Sequence, residues 1–398
     1  FPFLFILNDK EEAAYHLNDL ENLLGEDTVL FYPGSYRRPY QIDETDNANV
    51  LLRSEVLNRI NSRKKPALIV TYPEALFEKV VTKKELEKNT LKLTLNDSVS
   101  IDFVNEVLFE YKFKRTDFVT EPGEFSVRGG ILDVFSFSND QPYRIEFFGN
   151  DRDSIRTFDV ETQLSLEQLK KIAIIPNVEN KMLDENRESF LKYVSSKTVV
   201  CLKNKDLLSG AIDKLFNKAT EAYHQQQGEI KMSQPEELFC TSELLQEQLE
   251  GFTKLVLSNK NTSQNTPLAL VPSSSSITIS FNTVPQPSFN KQFNLLIDNL
   301  NGNTADGYTN YIFCSSESQA KRFHDIFEDA QGHVEQFETI VFPLYQGFID
   351  HENKNVCYTD HQIFERYHKF SLKNGYAKKQ AITLKELTNL EVGDYVTH

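Results

Sequence analysis

The sequence predicts an α/β protein: a parallel-sheet domain interrupted by an inserted antiparallel-hairpin α+β domain, followed by a small α/β domain. Three observations lead there. The chain has 398 residues, which implies roughly two or three domains of about 100 to 200 residues. Near both ends, short apolar runs alternate with amphipathic helical stretches, as in a sheet with helices on its faces. Between about Leu91 and Ile174 the period falls to two and Gly and Asn-Asp turns intervene, as in hairpins.

Phe1 to Leu7 reads as a first strand cut from a larger protein, without an initiator Met or the basic region of a signal peptide. Asp9 with Glu12 has the spacing of a capping box, and Ala13, Leu17, Leu20 and Leu24 continue at helical spacing until Gly25 stops them. A strand at Thr28–Tyr32, a helix near Asn49–Ile60, a strand at Ala67–Tyr72 and a helix opened by Pro73 follow. In the insert, a helix is expected around Ser100–Tyr111. The first pattern resumes with a strand at Thr198–Leu202, a helix at Lys205–His224 and a strand at Leu255–Leu257.

Ser273–Ser276 and Pro285-Gln286-Pro287 mark a boundary. Beyond it, Phe289, Phe293, Leu296 and Leu300 form a helical stripe, Asn310–Cys314 a strand, and Ser316 with Gln319 a second capping box. The expected divisions are 1–87 and 177–285 for the split α/β domain, 88–176 for the insert, 286–370 for the small α/β domain, and 371–398 for a linker and the first strand of a further domain.

Composition excludes several functions. Lys+Arg 43 against Asp+Glu 58 gives a net charge of −15, a field that disfavours wrapping nucleic acid unless a local basic patch overrides it. No apolar run approaches the ~20 residues needed to span a bilayer, so no membrane partner is expected. Cys201, Cys240, Cys314 and Cys357 form no CxxC pair, and three stand in apolar strand-like runs, as buried reduced thiols do. There is no GxxxxGK[ST] phosphate loop, GxSxG elbow or HExxH helix. His361 and His368 near Cys357 lack zinc-ligand spacing. Tyr36, Arg37, Arg38 and Tyr40 make a basic, aromatic loop able to stack on bases, or simply a solvated loop. No catalytic residue, metal or cofactor is expected.

One segment stands out. Glu121 to Phe135 reads as two strands around Gly129-Gly130, where glycine permits a tight turn or bulge. Tyr143–Phe148 is the expected partner strand, followed by a turn at Gly149–Asp151. Alternation puts Tyr143, Ile145 and Phe147 on one face and Arg144, Glu146 and Phe148 on the other. That second face is too polar for a core yet carries an aromatic. Such a combination suits a protein-binding hot spot; equally, Phe148 could tuck under a loop while Arg144 pairs with Glu146 or a neighbour in a surface bridge of little worth. The residues alone leave both readings open.

The run PGEFSVRGGILDVF, then YRIEFFG and DSIRTFDVETQLS, resembles the UvrB-homology module at the N-terminus of bacterial transcription-repair coupling factors, the Mfd family. Leu390 to His398 is similar to the opening of that family's RNA-polymerase-interacting domain. The resemblance is strong over Glu121–Ser165 and weak over Lys205–Ser288. UvrB shares the insert, but it carries a Tyr-rich DNA-gripping hairpin for which Phe31–Tyr36 leaves no room, and a glycine-rich phosphate loop whose place would precede Phe1.

The resemblance implies a helicase-like domain without a phosphate loop, serving as a cytoplasmic bacterial adaptor rather than an enzyme. UvrA would dock on the insert at Arg128, Arg144 and Phe148, with Glu146 accessory, and the arginines would bond UvrA carboxylates. RNA polymerase, double-stranded DNA, ATP and Mg would belong to domains outside this chain, and the C-terminal domain of the intact protein would mask the docking face. The alternative is a UvrB-type, nucleotide-dependent DNA-binding helicase fragment.

Overall fold

A computed structural model describes residues 1–35, 46–62, 66–95, 97–177, 186–225, 233–257, 277–329 and 336–366. The described residues fall into two compact units, one from 1–14 and 27–257, the other from 15–26 and 277–366.

In the first unit, five parallel strands lie in the order Thr253–Val256, Val199–Leu202, Phe3–Ile6, Leu68–Thr71, Val29–Tyr32. All four residues of Val29–Tyr32 are buried, as in a parallel sheet covered on both faces. Helices Asn47–Ser62 and Lys205–Gln225 follow the expected spacing. The expected cap forms in part: the Glu12 N–H donates to Asp9 Oδ1 at 2.9 Å, while the Glu12 carboxylate accepts from the Asn8 N–H at 3.0 Å, one residue ahead of the N-cap. Gly25, at φ +89°, closes the helix Lys10–Leu24. The expected parallel sheet is present, and the chain is mixed α/β.

The insert leaves and rejoins this domain through a two-stranded antiparallel ribbon, Leu91–Thr94 against Lys171–Ile174. Between them stands a six-stranded sheet in the order Ser165–Gln168, Asp151–Phe158, Tyr143–Phe148, Ile131–Val134, Glu124–Arg128, Lys114–Arg115. Its neighbours are antiparallel except the last pair. Phe125, Leu132, Val134, Tyr143, Ile145 and Ile155 are buried on one face. The helix Ile101–Glu110 lies there, with Phe109 edge-on to Phe125 at 5.2 Å between centroids.

The second unit holds a mixed sheet in the order Thr283–Pro285, Phe348–Asp350, Asn355–Thr359, Thr309–Cys314, Glu338–Val341. The expected stripe packs inward, with Phe289, Leu296 and Leu300 buried and Phe293 against them. Thr283–Pro285 pairs with Phe348–Asp350, so this sheet starts ahead of the boundary expected at 286. Residues 15–26 also count with this unit, although the sequence assigns the whole helix to the first domain. All four cysteines are buried, and burial raises each thiol's pKa, in Cys201 to about 11. Arg37, Arg38, His368 and the segment 371–398 lie outside the described residues.

Candidate docking surface

The strand register sets the outer face of the insert sheet residue by residue. Asp133 stands opposite Arg144, Ile131 opposite Glu146, Ser154 opposite Glu146 from the other side, and Arg156 opposite Arg144. The polar face read from alternation is therefore present. What shapes it is Asp133, whose side chain is 1% exposed.

Arg144 donates from Nε to Asp133 Oδ1 at 2.7 Å and from Nη2 to Oδ2 at 2.9 Å. This bidentate pair fixes the plane of the guanidinium. A third donor, Nη1, reaches the Gln163 carbonyl at 3.1 Å, and Cζ lies 4.6 Å from the centre of the buried Phe158 ring. The bond to Asp133 raises the Arg144 pKa further above its ordinary value. Arg128 shares the same carboxylate through Nη2 and rests 5.3 Å from the Phe118 ring. Of the two expected partners for Arg144, Glu146 or a neighbour, it is the neighbour Asp133 that takes it, while Glu146 pairs with Arg156 and accepts from the Ser154 hydroxyl at 2.7 Å. That hydroxyl and Arg156 hold the Glu146 carboxyl below its usual pKa. Register explains the choice: Asp133 stands directly opposite Arg144 on one neighbouring strand, and Glu146 is the diagonal neighbour of Arg156 on the other.

Phe148 ends its strand at the Gly149-Asn150 turn, paired with Asp151, and is 85% exposed. The reading in which it tucks under a loop is thus overturned; Phe158, on the same face, is the ring that is covered. Hydrogen-bonded turn backbone flanks the exposed ring. Gly129, at φ +59°, turns the neighbouring hairpin, and the Gly130 carbonyl accepts from the Phe147 N–H at 2.7 Å. Arg128, 41% exposed at its side chain, stays open to solvent, whereas Arg144, at 17%, is largely spent internally. Arg128, Arg144 and Arg156 share this face with Asp133, Glu146, Glu124 and Asp151, so it presents charges of both signs.

Sequence reasoning singled out Arg128, Arg144, Glu146 and Phe148, and the structure brings all four onto one face. It missed Asp133 and Arg156. A lone carboxylate within the apolar run Ile131–Val134, one strand from an arginine, was the signal for the first. Among the described residues, no group of three or more His, Cys, Asp or Glu side chains could hold a metal, and no helix is long and apolar enough to cross a membrane.

Residues 91–179 match the family model of the UvrB interaction domain. The chain is 30% identical over 203 residues to the transcription-repair-coupling factor of Bacillus subtilis (strain 168), covering 51% of this chain and 17% of that protein. It is 27% identical over 175 residues to that of Escherichia coli (strain K12), covering 44% and 15%. Against that of Rickettsia prowazekii (strain Madrid E), a 24% identical alignment of 460 positions covers 100% of this chain and 39% of the relative. The resemblance read from the sequence is borne out, and the chain spans well under half the length of these relatives.

Proposed function

We propose that the chain is the recruiting part of a transcription-repair coupling factor, and that its insert docks UvrA in transcription-coupled nucleotide excision repair. The observation that carries this reading is a phenylalanine left 85% exposed at the tip of a hairpin, inside the residues that match the UvrB interaction domain. An unburied aromatic beside partly free guanidinium donors is the composition of an interface hot spot. Phe148 fills an apolar pocket of UvrA, Arg128 offers its remaining donors to a carboxylate, and Glu146 lies at the rim. Arg144 acts mainly as a positioning residue that locks the face through Asp133.

In this reading the chain is a cytoplasmic adaptor without its own catalysis, and its parallel-sheet domain is a helicase-like fold that has lost its chemistry. RNA polymerase, double-stranded DNA, ATP and Mg are handled by other parts of the full protein, whose C-terminal domain masks the docking face until the motor engages. Calorimetric titration of the chain with UvrA tests the core of the proposal. Phe148→Ala should weaken binding at least tenfold, as loss of a hot-spot anchor does, with an unchanged melting temperature. An affinity equal to wild type overturns it.

A further inference from the structure

Behind Arg128 the sheet ends in a groove of about 520 Å³ lined by Arg115, Thr116, Asp117, Phe118, Ser126, Val127 and Arg128. It sits at the outermost strand, Lys114–Arg115, which runs parallel to Glu124–Arg128. The Lys114 and Thr116 N–H groups donate inward to Gly123 and Phe125 at 2.8 and 2.9 Å. Alternation therefore turns the Arg115 N–H and carbonyl outward, along an unpaired edge. Among the described residues no ion pair holds Arg115, and Lys112 and Lys114 beside it are exposed. Phe118, 60% exposed, stands against the Arg128 guanidinium and forms one wall.

We infer that this groove takes an acidic, extended segment of the same partner that meets Phe148, an inference that rests on the docking reading above. Arg128 is common to both surfaces, so the interface is continuous around the sheet edge. The open Arg115 backbone accepts an added strand. The Arg115 and Arg128 guanidinium groups receive carboxylates from alternate residues of that strand, and Phe118 packs on its aliphatic stems. A nucleic-acid backbone fits less well, because it brings no row of N–H and carbonyl groups to pair with the open Arg115 edge.

The test is titration of the full chain with UvrA at several salt concentrations, using Arg115→Glu, with Lys218→Glu as a control that changes net charge equally on a distant helix. Arg115→Glu should weaken binding at least tenfold and flatten the salt dependence, with an unaltered melting curve, while Lys218→Glu binds as wild type. Wild-type affinity in Arg115→Glu, with Phe148→Ala still defective, overturns the groove and leaves the docking reading standing. No saturable binding by the wild-type chain overturns the docking reading itself. Unchanged UvrA affinity with lost retention of a single-stranded oligonucleotide would reassign the groove to nucleic acid and end the proposal.

Discussion

A carboxylate with almost no solvent contact must be satisfied by its neighbours, and Asp133 has two arginines for that purpose. Asp133→Asn should cost about 2–4 kcal/mol, because it leaves the largely covered Arg144 guanidinium without a counter-charge. Arg128→Ala should cost about 1 kcal/mol or less, since a half-exposed pair is worth little. Urea denaturation of the two variants checks the ordering; equal losses would mean that Asp133 does not organise the face. Asp19 makes a second residue-scale case. Burial raises its pKa from 3.8 to about 6, against the opposing bond from the Tyr345 N–H at 3.1 Å. The folded state then keeps a proton that the unfolded state has released, so this group's contribution is fullest below about pH 4, falls between about pH 4 and 6, and is flat above. Asp19→Asn should raise the melting temperature at pH 7 and abolish that fall. Burial lowers the His16 pKa in both proteins, so its contribution cancels in the difference. Phe148 and Arg144 were legible because period two assigns a face. Asp133 and Asp19 were not, since burial of a carboxylate depends on what other segments bring to it.

Turns decide whether the docking hairpins form. Gly129 needs positive φ, and Gly130 has no room: a Cβ there would lie 2.7 Å from the Phe147 carbonyl oxygen, a backbone atom that cannot swing aside. Gly129→Ala should cost about 1–2 kcal/mol, the penalty of a left-handed residue with a Cβ. Gly130→Ala should cost more, because the adjacent strand must move, and it should weaken UvrA binding in step with the displaced Phe148. Thermal melts and the same titration read both effects; a Gly130→Ala protein as stable as wild type would refute the close approach. The double glycine announced this turn in the sequence, as Gly25 and the Asp9–Glu12 spacing announced the ends of their helix. Other elements left no such trace. Val80–Val81 and Arg187–Glu188 pair as two-residue strands, too short to show a period. Thr283–Pro285 hides in a proline-rich stretch because it is an outermost strand, where a missing N–H is tolerated.

For the molecule as a whole, the choice between adaptor and nucleotide-dependent motor bears on the carboxyl ends of the parallel strands, where α/β proteins commonly hold phosphates. After Val29–Tyr32 the chain turns through Pro33-Gly34-Ser35, and its donors are already taken. The Ser35 N–H and hydroxyl reach the Glu78 carboxylate at 2.9 and 2.6 Å, and the Gly34 N–H reaches the Tyr72 hydroxyl at 2.9 Å. Glu78 is in turn 3.3 Å from Arg53, which is fully buried, donates to the Pro33 carbonyl at 2.9 Å and lies 4.4 Å from the Tyr32 ring. A buried carboxylate thus takes up the donors of this turn, and the guanidinium beside it is its counter-charge. ATP titrated into the wild-type chain should give no saturable heat. Glu78→Ala should lose about 3–5 kcal/mol of stability, the cost of an uncompensated buried guanidinium, without acquiring nucleotide affinity. A Glu78→Ala protein that stays folded and binds ATP would show that the carboxylate was only screening a working phosphate site, and would return the motor reading to first place.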